Sequence, residues 1–268
     1  MLKTRVITAL FLASGLVAVL FLLPRPGSVA VFTGVVAIAA WEWGGLLKAG
    51  MTARWLFGLA TWLPCAALYG LGMPTAMLVS LWSLAAVFWT LLVPLWFLQR
   101  WALRANLPGF LVGWLLLLPS WAGMVSLQTR SPWLLLAALA LVWVADIAAY
   151  FSGRAFGRHK LAPSISPGKT WEGAVGAGLG VLIYAAVVGG AGGWLQKLDW
   201  LQILLISAGL LMLTAVSILG DLFESLAKRQ AGLKDSSALL PGHGGVLDRI
   251  DSLTSALPLA GLAASLIA

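Results

Sequence analysis

Polar residues are scarce in this sequence. Only 10% of its 268 residues are charged, whereas 61% are hydrophobic and the mean hydropathy is +0.97. A soluble domain of this length could not cover its surface with so few polar side chains. The composition therefore excludes a water-soluble protein and predicts a chain that crosses a membrane several times.

Cysteine and strand-like patterns are nearly missing as well. The one cysteine, Cys65, lies in an apolar run, so no disulfide can form within the chain. The alternation of apolar and polar residues that is typical of membrane barrels does not occur. Because a segment in lipid must satisfy its own backbone hydrogen bonds, the long apolar runs are expected to be helices.

Negative charge is in the minority, with nine acidic residues against seventeen Lys and Arg and a net charge of +8. A basic balance can indicate a nucleic-acid partner, but here the positive residues are spread over several loops. Fourteen of them fall on the predicted side of the N-terminus, and the other three are Arg25, Arg130 and Lys197. This asymmetry predicts a cytoplasmic N-terminus, a C-terminus on the outside, and no nucleic-acid partner.

Nine apolar runs are long enough to be transmembrane helices, so we expect an all-α polytopic membrane protein with about nine spans. Residues 1–130 would hold about five spans. Residues 131–268 would hold about four, together with cytoplasmic loops at 152–173 and 221–250. The predicted spans cover residues 6–23, 28–47, 55–73, 75–97, 108–127, 133–151, 174–191, 201–220 and 250 to the C-terminus.

Two features inside the spans concern packing and the site. Gly176 and Gly180 are four residues apart in span seven, which predicts close packing against another helix. Glu42 lies in span two, between Trp41 and Trp43. A lone carboxylate near a span end is usually a packed or interfacial residue, although acids within a membrane are often functional. The role of Glu42 therefore stays open between packing and the site, and it is not among the predicted site residues.

The polar residues that the chain does contain are concentrated in one stretch, residues 221–252. Five of the nine carboxylates and four of the seventeen Lys and Arg residues fall within it. Polar groups beside a bilayer are energetically costly, so such a cluster indicates a functional site. Its charged residues are Asp221, Glu224, Lys228, Arg229, Lys234, Asp235, Asp248, Arg249 and Asp251.

The acids of this stretch form two pairs with helical spacing. Asp221 and Glu224 are three residues apart at the end of span eight, and Asp248 and Asp251 repeat that spacing at the start of span nine. Carboxylates so close repel one another unless a cation or a proton lies between them. Because Mg²⁺ binds carboxylates together with substrate phosphates, we predict a metal at Asp221 and Asp248, with Asp251 and Asp146 as further candidates.

The basic residues of the stretch allow several interpretations. Lys228 stands four residues after Glu224, which is the spacing of an ordinary ion pair on a helix. A basic cluster at the inner surface can also hold lipid headgroups or fix the topology. Acids and bases together, however, suit a metal–phosphate complex. The bases predicted to bind phosphate are Lys228, Arg229, Lys234 and Arg249.

A glycine-rich turn, Pro241-Gly242-His243-Gly244-Gly245, connects the two acid pairs. Its glycines would let backbone N–H groups approach an anion closely. His243 could bind phosphate, transfer a proton or cap the turn, and we favour phosphate contact. We therefore predict that the turn binds substrate.

An earlier polar loop, residues 152–173, has a similar composition. Its run from Ser166 to Thr170 is like a phosphate-binding loop in composition only, because the GxxxxGK[ST] spacing is missing and no strand is expected before it. We predict that Ser166 and Lys169 contact substrate. The other basic residues of this loop could bind a nucleotide or an anionic lipid or fix the topology, and they are Arg154, Arg158, His159 and Lys160.

The stretch from 225 to 251 resembles the signature of the phosphatidate cytidylyltransferases, also called CDP-diacylglycerol synthases. Its pattern K-R…K-D…P-G-H-G-G…D-R…D is long and far more specific than any single short motif. Residues 157–173 resemble a second block of that family, and Asp146 with the residues after it resembles a third. The resemblance covers about residues 141–258. It departs from the family pattern at Ile147, Ala148, Ser164 and Ala227.

This resemblance implies transfer of the cytidylyl group of CTP to phosphatidate, which gives CDP-diacylglycerol and pyrophosphate. It also implies Mg²⁺, a second, monovalent cation such as K⁺, a homodimer, and a catalytic membrane domain in residues 131–268. The expected location is the cytoplasmic (inner) membrane of a bacterium, among membrane lipids, with the active site facing the cytoplasm.

On this hypothesis the site residues have two roles, and several residues have both. The catalytic residues would be Asp221, Asp248, Lys169, Lys228 and Arg229. The substrate-binding residues would be Ser166, Lys169, Lys228, Arg229, Lys234, Gly242, His243, Gly244, Gly245 and Arg249.

Two other functions are open alternatives. A CTP-dependent lipid-alcohol kinase could use the same loops but would release CDP instead of pyrophosphate. A secondary transporter also uses acids within the membrane, but it is expected to show repeat symmetry and broken helices at mid-membrane. The polar residues of this chain collect at one predicted face instead, which counts against transport.

Overall fold

The computed structural model describes residues 2–267 and the side chains of residues 7–266. The described chain is mostly helical. Its eleven α-helices are α1 (Leu2–Phe21), α2 (Arg25–Leu46), α3 (Met51–Ala60), α4 (Trp62–Gly70), α5 (Thr75–Val87), α6 (Val93–Gln99), α7 (Leu107–Arg130), α8 (Pro132–Phe156), α9 (Trp171–Ala191), α10 (Trp200–Ala231) and α11 (Leu247–Ile267). A π-helical turn, Phe88–Leu92, joins α5 to α6, and a 3₁₀ turn, Leu195–Lys197, precedes α10.

Six of the described helical segments are long and apolar enough to cross a membrane. They correspond to the predicted spans two and four to eight, so the prediction of a helical membrane protein is confirmed. The apolar part of α1, Ile7–Phe21, is shorter, and α11 is not among the six. The six segments are Arg25–Leu46, Thr75–Gln99, Leu107–Arg130, Pro132–Phe156, Trp171–Ala191 and Trp200–Ala231.

The third predicted span, residues 55–73, is divided in the structure. It consists of α3 and α4, which meet at Thr61. Pro64 lies in the first turn of α4 and has no N–H to donate to the carbonyl of Ala60, so the helix is interrupted there. Two short helices therefore replace the single helix that the apolar run predicted.

The loop predicted at residues 152–173 is largely regular structure. Its first residues complete α8 and its last residues begin α9. Between them lie two antiparallel strands, β1 (Lys160–Ala162) and β2 (Ser166–Thr170), which pair Lys160 with Thr170. The sequence did not indicate this hairpin, because its strands are short and contain or adjoin prolines, which are typical of loops.

α10 continues beyond Gly220, where the sequence predicted the eighth span to end. The helix runs on for eleven residues, and Gly232 ends it with a φ of +78°. An ion pair between Glu224 and Lys228, one turn apart, stabilises the added part. The first part of the loop predicted at 221–250 is therefore helix.

α11 lies at the centre of the helix packing, in contact with α5, α7 and α10. Ser255 donates a hydrogen bond to the carbonyl of Val216 on α10 at 2.8 Å. Ser120 on α7 donates one to the carbonyl of Thr254 at 2.9 Å. Interhelical hydrogen bonds and close packing fix membrane helices relative to one another, so the acids at the start of α11 have a defined position.

α8 and α9 pack closely along the glycines of α9. A Cβ at Gly176 would collide with Ser152, and a Cβ at Gly180 would collide with Ala148. The close helix contact predicted from these two glycines is therefore confirmed. The contact also places the β-hairpin, which connects the two helices, beside the end of α10.

Candidate active site

The polar residues gather where α10 ends and α11 begins. The segment between these helices, residues 232–246, is called the α10–α11 loop below. Carboxylates from four helices lie near its ends, and they form two clusters with different partners. The loop-side cluster consists of Glu42 and Asp248, and the hairpin-side cluster consists of Asp146, Asp221 and Asp251.

Asp248, in the first turn of α11, is buried and holds the α10–α11 loop. Its Oδ2 accepts hydrogen bonds from the N–H groups of Ser236 and Gly245, both at 2.8 Å, and the Ser236 hydroxyl lies 2.9 Å away. Its Oδ1 accepts a hydrogen bond from Lys228 Nζ at 2.7 Å. Oδ2 is thus committed to the loop, whereas the lysine is the one partner of Oδ1 among the described residues.

The hydrogen bonds of Asp248 also determine its charge. Burial alone would raise the pKa of Asp248, but the Lys228 ammonium and the N–H groups of Gly245 and Ser236 hold that pKa below its usual value. The carboxyl group lies at the polar start of α11, before the apolar run of that helix. Asp248 is therefore ionised at neutral pH.

Lys228 is held between two carboxylates. Its ammonium contacts Glu224 and Asp248, and all three side chains are mostly buried. The ion pair that the spacing of Glu224 and Lys228 indicated is thus confirmed. Because the ammonium faces protein carboxylates in this arrangement, the phosphate contact of Lys228 stays a prediction.

Glu42 is the functional candidate that the sequence interpretation left out. It is fully buried on α2. Its Oε1 accepts hydrogen bonds from the Ser237 hydroxyl at 2.6 Å and the Val246 N–H at 3.0 Å. Its Oε2 accepts one from the Leu247 N–H at 2.6 Å and lies 3.2 Å from the Ser236 hydroxyl. The signal available in the sequence was a carboxylate within an apolar span.

Asp221, in the hairpin-side cluster, is paired with the β-hairpin. Lys169 Nζ on β2 lies 2.6 Å from Asp221 Oδ2, and the Ser225 hydroxyl lies 3.3 Å from Oδ1. Two turns further along α10, Arg229 donates a hydrogen bond to the carbonyl of Ile165, between the strands, at 3.3 Å. These contacts hold the hairpin against α10, and they place Lys169 of β2 next to Asp221.

The other two acids of this cluster, Asp146 and Asp251, interact electrostatically with Asp221. They come from α8 and α11, so three helices contribute one carboxylate each. The positive charge of Lys169 interacts electrostatically with Asp146, and that of Lys228 with Asp251. Carboxylates that interact in this way need a proton or a cation among them, so the cluster has the chemistry to take up a divalent cation.

The predicted metal ligands have the right donor atoms but are not assembled around one point. No group of three His, Cys, Asp or Glu side chains in residues 7–266 is close enough to hold a single ion. All donor atoms of Asp221, Asp248, Asp146 and Asp251 are carboxylate oxygens, which Mg²⁺ prefers. The residues therefore fit Mg²⁺ chemically, and their assignment as ligands stays a prediction.

A cavity of about 730 Å³ opens beside the α10–α11 loop. Its volume is in the range of small-ligand sites, roughly 300–1,000 Å³. The predicted substrate-binding residues that line it are Lys234, Gly242, His243, Gly244 and Arg249. Those that do not line it are Ser166, Lys169, Lys228, Arg229 and Gly245. The structure thus gathers half of the predicted set around one cavity, and the other half lies at the hairpin, along α10 or, for Gly245, at the end of the turn that faces Glu42.

The glycine-rich turn forms a wall of this cavity. Gly242 and Gly244 have φ angles of +78° and +81°, which L side chains rarely adopt. The Leu240 N–H donates a hydrogen bond to the carbonyl of Gly244 at 2.8 Å and closes the turn. His243 Nδ1 is buried without a hydrogen-bond partner among the described residues. Because buried polar atoms are normally paired, this nitrogen has unused hydrogen-bonding capacity, and the phosphate contact of His243 stays a prediction.

The remaining basic residues flank the hairpin at the surface. His159 Nδ1 lies 2.7 Å from Glu172 Oε1, and Arg154 donates a hydrogen bond to the Tyr150 hydroxyl at 3.1 Å. None of the four basic residues predicted as nucleotide, lipid or topology determinants in this loop lines the cavity.

The fold and the site define a helical membrane protein in which a basic, glycine-walled cavity lies next to clustered carboxylates. Such a combination suits a substrate that carries several phosphates. The model of the family described as "Cytidylyltransferase family" matches residues 3–267 of the chain. Because this match spans nearly the whole sequence, the chain belongs to the cytidylyltransferase family.

The chain is also similar to individual members of that family. A phosphatidate cytidylyltransferase of Pseudomonas aeruginosa is 44% identical, with 97% of this chain and 95% of the relative covered. One of Haemophilus influenzae is 36% identical, with 96% of each chain covered. One of Brucella suis is 52% identical over 45% of this chain and 42% of the relative. The family resemblance found in the sequence is thereby confirmed.

Proposed function

We propose that this protein is a phosphatidate cytidylyltransferase, which transfers the cytidylyl group of CTP to phosphatidate. The products are CDP-diacylglycerol and pyrophosphate. The observation that carries the proposal is full-length similarity to enzymes of that name. The basic, glycine-walled cavity beside the carboxylate clusters supports it.

CTP would occupy the cavity beside the α10–α11 loop. Lys234 and Arg249 on its wall would neutralise phosphate charge, and His243 Nδ1 and the Gly242 and Gly244 backbone would contact a phosphate oxygen. Among the described residues that line the cavity, Asp235 is the one acid, against Lys234 and Arg249, so the wall favours an anionic ligand.

Phosphatidate would approach from the membrane, beside the hairpin. One oxygen of its phosphate attacks the α-phosphorus of CTP and forms the new P–O bond. The bond from the α-phosphorus to the oxygen that bridges the α- and β-phosphates breaks, and pyrophosphate leaves with the negative charge that develops on this oxygen. The lipid phosphate is already ionised at neutral pH, so no strong general base is required. Ser166, Lys169, Lys228 and Arg229 would align the phosphates and neutralise the developing charge.

Mg²⁺ would be held by Asp221 and Asp248, with Asp146 and Asp251 as further ligands, and a monovalent cation such as K⁺ would accompany it. When bound, Mg²⁺ supplies charge neutralisation on the phosphates. Two observations support these ligands. Asp146, Asp221 and Asp251 interact electrostatically with one another, and Oδ1 of Asp248 has only Lys228 as its partner among the described residues.

The arrangement in the membrane is part of the proposal. The chain would cross the bacterial cytoplasmic membrane about nine times, with the N-terminus and the active site on the cytoplasmic side and the C-terminus outside. It would act as a homodimer among the membrane lipids. The six apolar helices, the excess of basic residues on one side and the bacterial relatives support the membrane location and orientation.

The test uses purified protein in detergent with Mg²⁺, phosphatidate and CTP labelled separately at the α- and γ-phosphorus. Transfer of the α label to lipid, with the γ label released in pyrophosphate, is the expected result. Transfer of the γ label to a lipid alcohol would establish a kinase instead. Absence of turnover together with solute uptake into liposomes would favour a transporter and overturn the proposal.

A further inference from the structure

The α10–α11 loop is anchored from two sides by carboxylates. Asp248 holds it from α11, and Glu42 holds it from α2 in the N-terminal half of the chain. Ser236 lies between the two anchors, with its hydroxyl within hydrogen-bond distance of both carboxylates. The loop wall of the cavity is therefore fixed by a residue far outside the stretch that carries the predicted site.

We propose that Glu42 is a positioning residue for cytidylyl transfer, which holds the α10–α11 loop in the conformation that binds CTP. The inference rests on the proposed function, since it assigns the adjoining cavity to CTP. Glu42 does not line that cavity and would act through the loop, not through contact with the substrate.

The loop backbone approaches Glu42 closely because residue 245 has no side chain. A Cβ at Gly245 would collide with the Glu42 carboxylate and with the Ser236 hydroxyl. The neighbouring Val246 and Leu247 present their N–H groups to Glu42 at the start of α11. A carboxylate at a helix N-terminus satisfies free N–H groups and interacts favourably with the helix dipole. The glycine at position 245 is therefore required for the contact between Glu42 and the loop.

The loop segments next to these contacts are the ones that line the cavity. Ser237, which donates to Glu42, is itself a lining residue, and Lys234 and Asp235 stand just before the Ser236 anchor. On the other side, Gly244 directly precedes Gly245. A shift of the anchored backbone would therefore move both walls of the proposed CTP site and weaken the hydrogen bonds that these walls make to the CTP phosphates.

The substitution Glu42→Gln tests the hydrogen bonds of Glu42 without changing the size of its buried side chain. Each carboxylate oxygen accepts a backbone N–H, from Val246 at Oε1 and from Leu247 at Oε2. A glutamine has one accepting oxygen, so in either orientation its NH₂ group faces a backbone N–H that cannot become an acceptor. The variant keeps the volume of the side chain and loses one anchor contact.

A matched control lies on the same helix. Thr33 is a buried residue of α2 that accepts a hydrogen bond from Trp121 Nε1 at 2.9 Å. Thr33→Val keeps the shape, removes that contact, and lies nine residues from Glu42, or about 13 Å along the helix. This variant shows the effect of losing a buried hydrogen bond of α2 that does not involve the α10–α11 loop.

The experiment measures steady-state kinetics of CDP-lipid formation and amide hydrogen exchange of residues 236–247 in detergent. For Glu42→Gln we expect the KM for CTP to rise between about tenfold and a hundredfold, the effect of losing a hydrogen bond to a charged phosphate, with a much smaller change in kcat and faster exchange in this segment. Thr33→Val should leave both the KM and the exchange of this segment unchanged. A merely structural role would lower the active fraction, and hence kcat, at constant KM.

An unchanged KM for CTP together with wild-type exchange at 236–247 would overturn the positioning role. The two measurements also separate this inference from the proposed function. If the wild-type protein forms no CDP-lipid, the function fails, while the exchange comparison still decides whether Glu42 anchors the loop.

A milder variant covers the case in which Glu42→Gln does not fold. Ser237→Ala removes one hydrogen-bond donor to Glu42 and leaves the two backbone contacts in place. Because Ser237 also lines the cavity, the readout for this variant is the exchange of residues 242–247, on the other side of the anchor, which we expect to become faster by a smaller amount. Wild-type exchange there, when Glu42→Gln cannot be purified, would contradict the proposal.

Discussion

The two carboxylate clusters of this protein lie near each other but have opposite surroundings. In the loop-side cluster, Glu42 and Asp248 are buried, and together they accept four backbone N–H groups as well as serine hydroxyls. In the hairpin-side cluster, Asp221 pairs with one lysine and one serine, and its neighbours are two further acids. The protein supplies backbone hydrogen bonds to the first cluster, whereas the second brings three acids into electrostatic interaction with one another.

The difference shows that a dense group of acids need not have a single role. Carboxylates saturated by backbone N–H groups hold a loop in place, because each lost contact would leave a buried donor unpaired. Carboxylates that interact electrostatically with one another, as in the hairpin-side cluster, favour a proton or a cation among them. Asp248 combines the two roles: its Oδ2 accepts hydrogen bonds from the loop, and its Oδ1, which contacts Lys228, is the oxygen proposed for the metal. The variants below separate these roles.

Removal of Asp248 should have the largest effect, because it affects both roles at once. Asp248→Ala is expected to lower cytidylyl transfer by about 10³-fold or more. It should also lower the free energy of unfolding by about 3–5 kcal/mol, since Lys228 would lose one of its two buried carboxylate partners and the N–H groups of Ser236 and Gly245 would lose their acceptor. The labelled-CTP assay and thermal unfolding in detergent measure the two quantities.

The control for Asp248→Ala is Asp199→Ala, which removes a helix-capping carboxylate at the far end of α10. It should lower the free energy of unfolding by about 1 kcal/mol and leave activity unchanged. Full activity of Asp248→Ala with Mg²⁺ would contradict the role assigned to this residue.

Asp221→Asn should separate activity from stability. We expect activity to fall by about 10²-fold and the Mg²⁺ concentration for half-maximal rate to rise. The free energy of unfolding should change by less than about 1 kcal/mol, since the pair with Lys169 is partly exposed. Glu172→Gln, which removes the other carboxylate at the hairpin, is the control and should retain activity. An unfolding change as large as that of Asp248→Ala would remove the distinction between the clusters.

Cavity variants should act on CTP binding alone. Lys234→Ala and His243→Ala are each expected to raise the KM for CTP by about tenfold, the effect of one lost hydrogen bond to a charged group. The KM for phosphatidate should stay within about twofold of wild type. Lys160→Ala, which removes an exposed lysine of β1 outside the cavity, should change neither constant. A larger effect on phosphatidate than on CTP would assign the cavity to the lipid.

The smallest effect is expected from a pair of glycine variants. Gly232 and Gly244 have similar positive φ angles, but a Cβ at Gly232 meets open space, whereas one at Gly244 would lie 2.7 Å from Asp248 Oδ2. Gly232→Ala should therefore cost only the backbone strain, about 1–2 kcal/mol of unfolding free energy. Gly244→Ala should cost more and raise the KM for CTP severalfold. Equal effects of both variants on KM would show that the Gly244 contact with Asp248 is unimportant.

The sequence predicted what local patterns and composition determine. Long apolar runs predicted the six helices, because lipid leaves few alternatives to a helix. The glycines of α9 predicted close packing against another helix, which the structure shows to be α8, and the spacing of Glu224 and Lys228 predicted their ion pair. The stretch 221–252 was identified as the polar centre because charge is rare elsewhere in the chain.

Features that depend on distant contacts could not be predicted in this way. Glu42 is about two hundred residues away from its partners, with separations of 194 to 205. A local pattern cannot show that these groups meet. The hairpin at β1 and β2 was missed because prolines masked its short strands, and the extension of α10 was missed because its charged residues ended the apolar run. The arrangement of the metal ligands and the membrane orientation are still predictions.

The most direct test of the difference between the clusters is Mn²⁺ binding, with Mn²⁺ in place of Mg²⁺, followed by electron paramagnetic resonance. The wild-type protein, Asp221→Asn and Glu42→Gln would be titrated in detergent. We predict that Asp221→Asn weakens Mn²⁺ binding by about tenfold or more, whereas Glu42→Gln changes it by less than about twofold. Loss of Mn²⁺ binding in Glu42→Gln with retention in Asp221→Asn would contradict the division of roles between the two clusters.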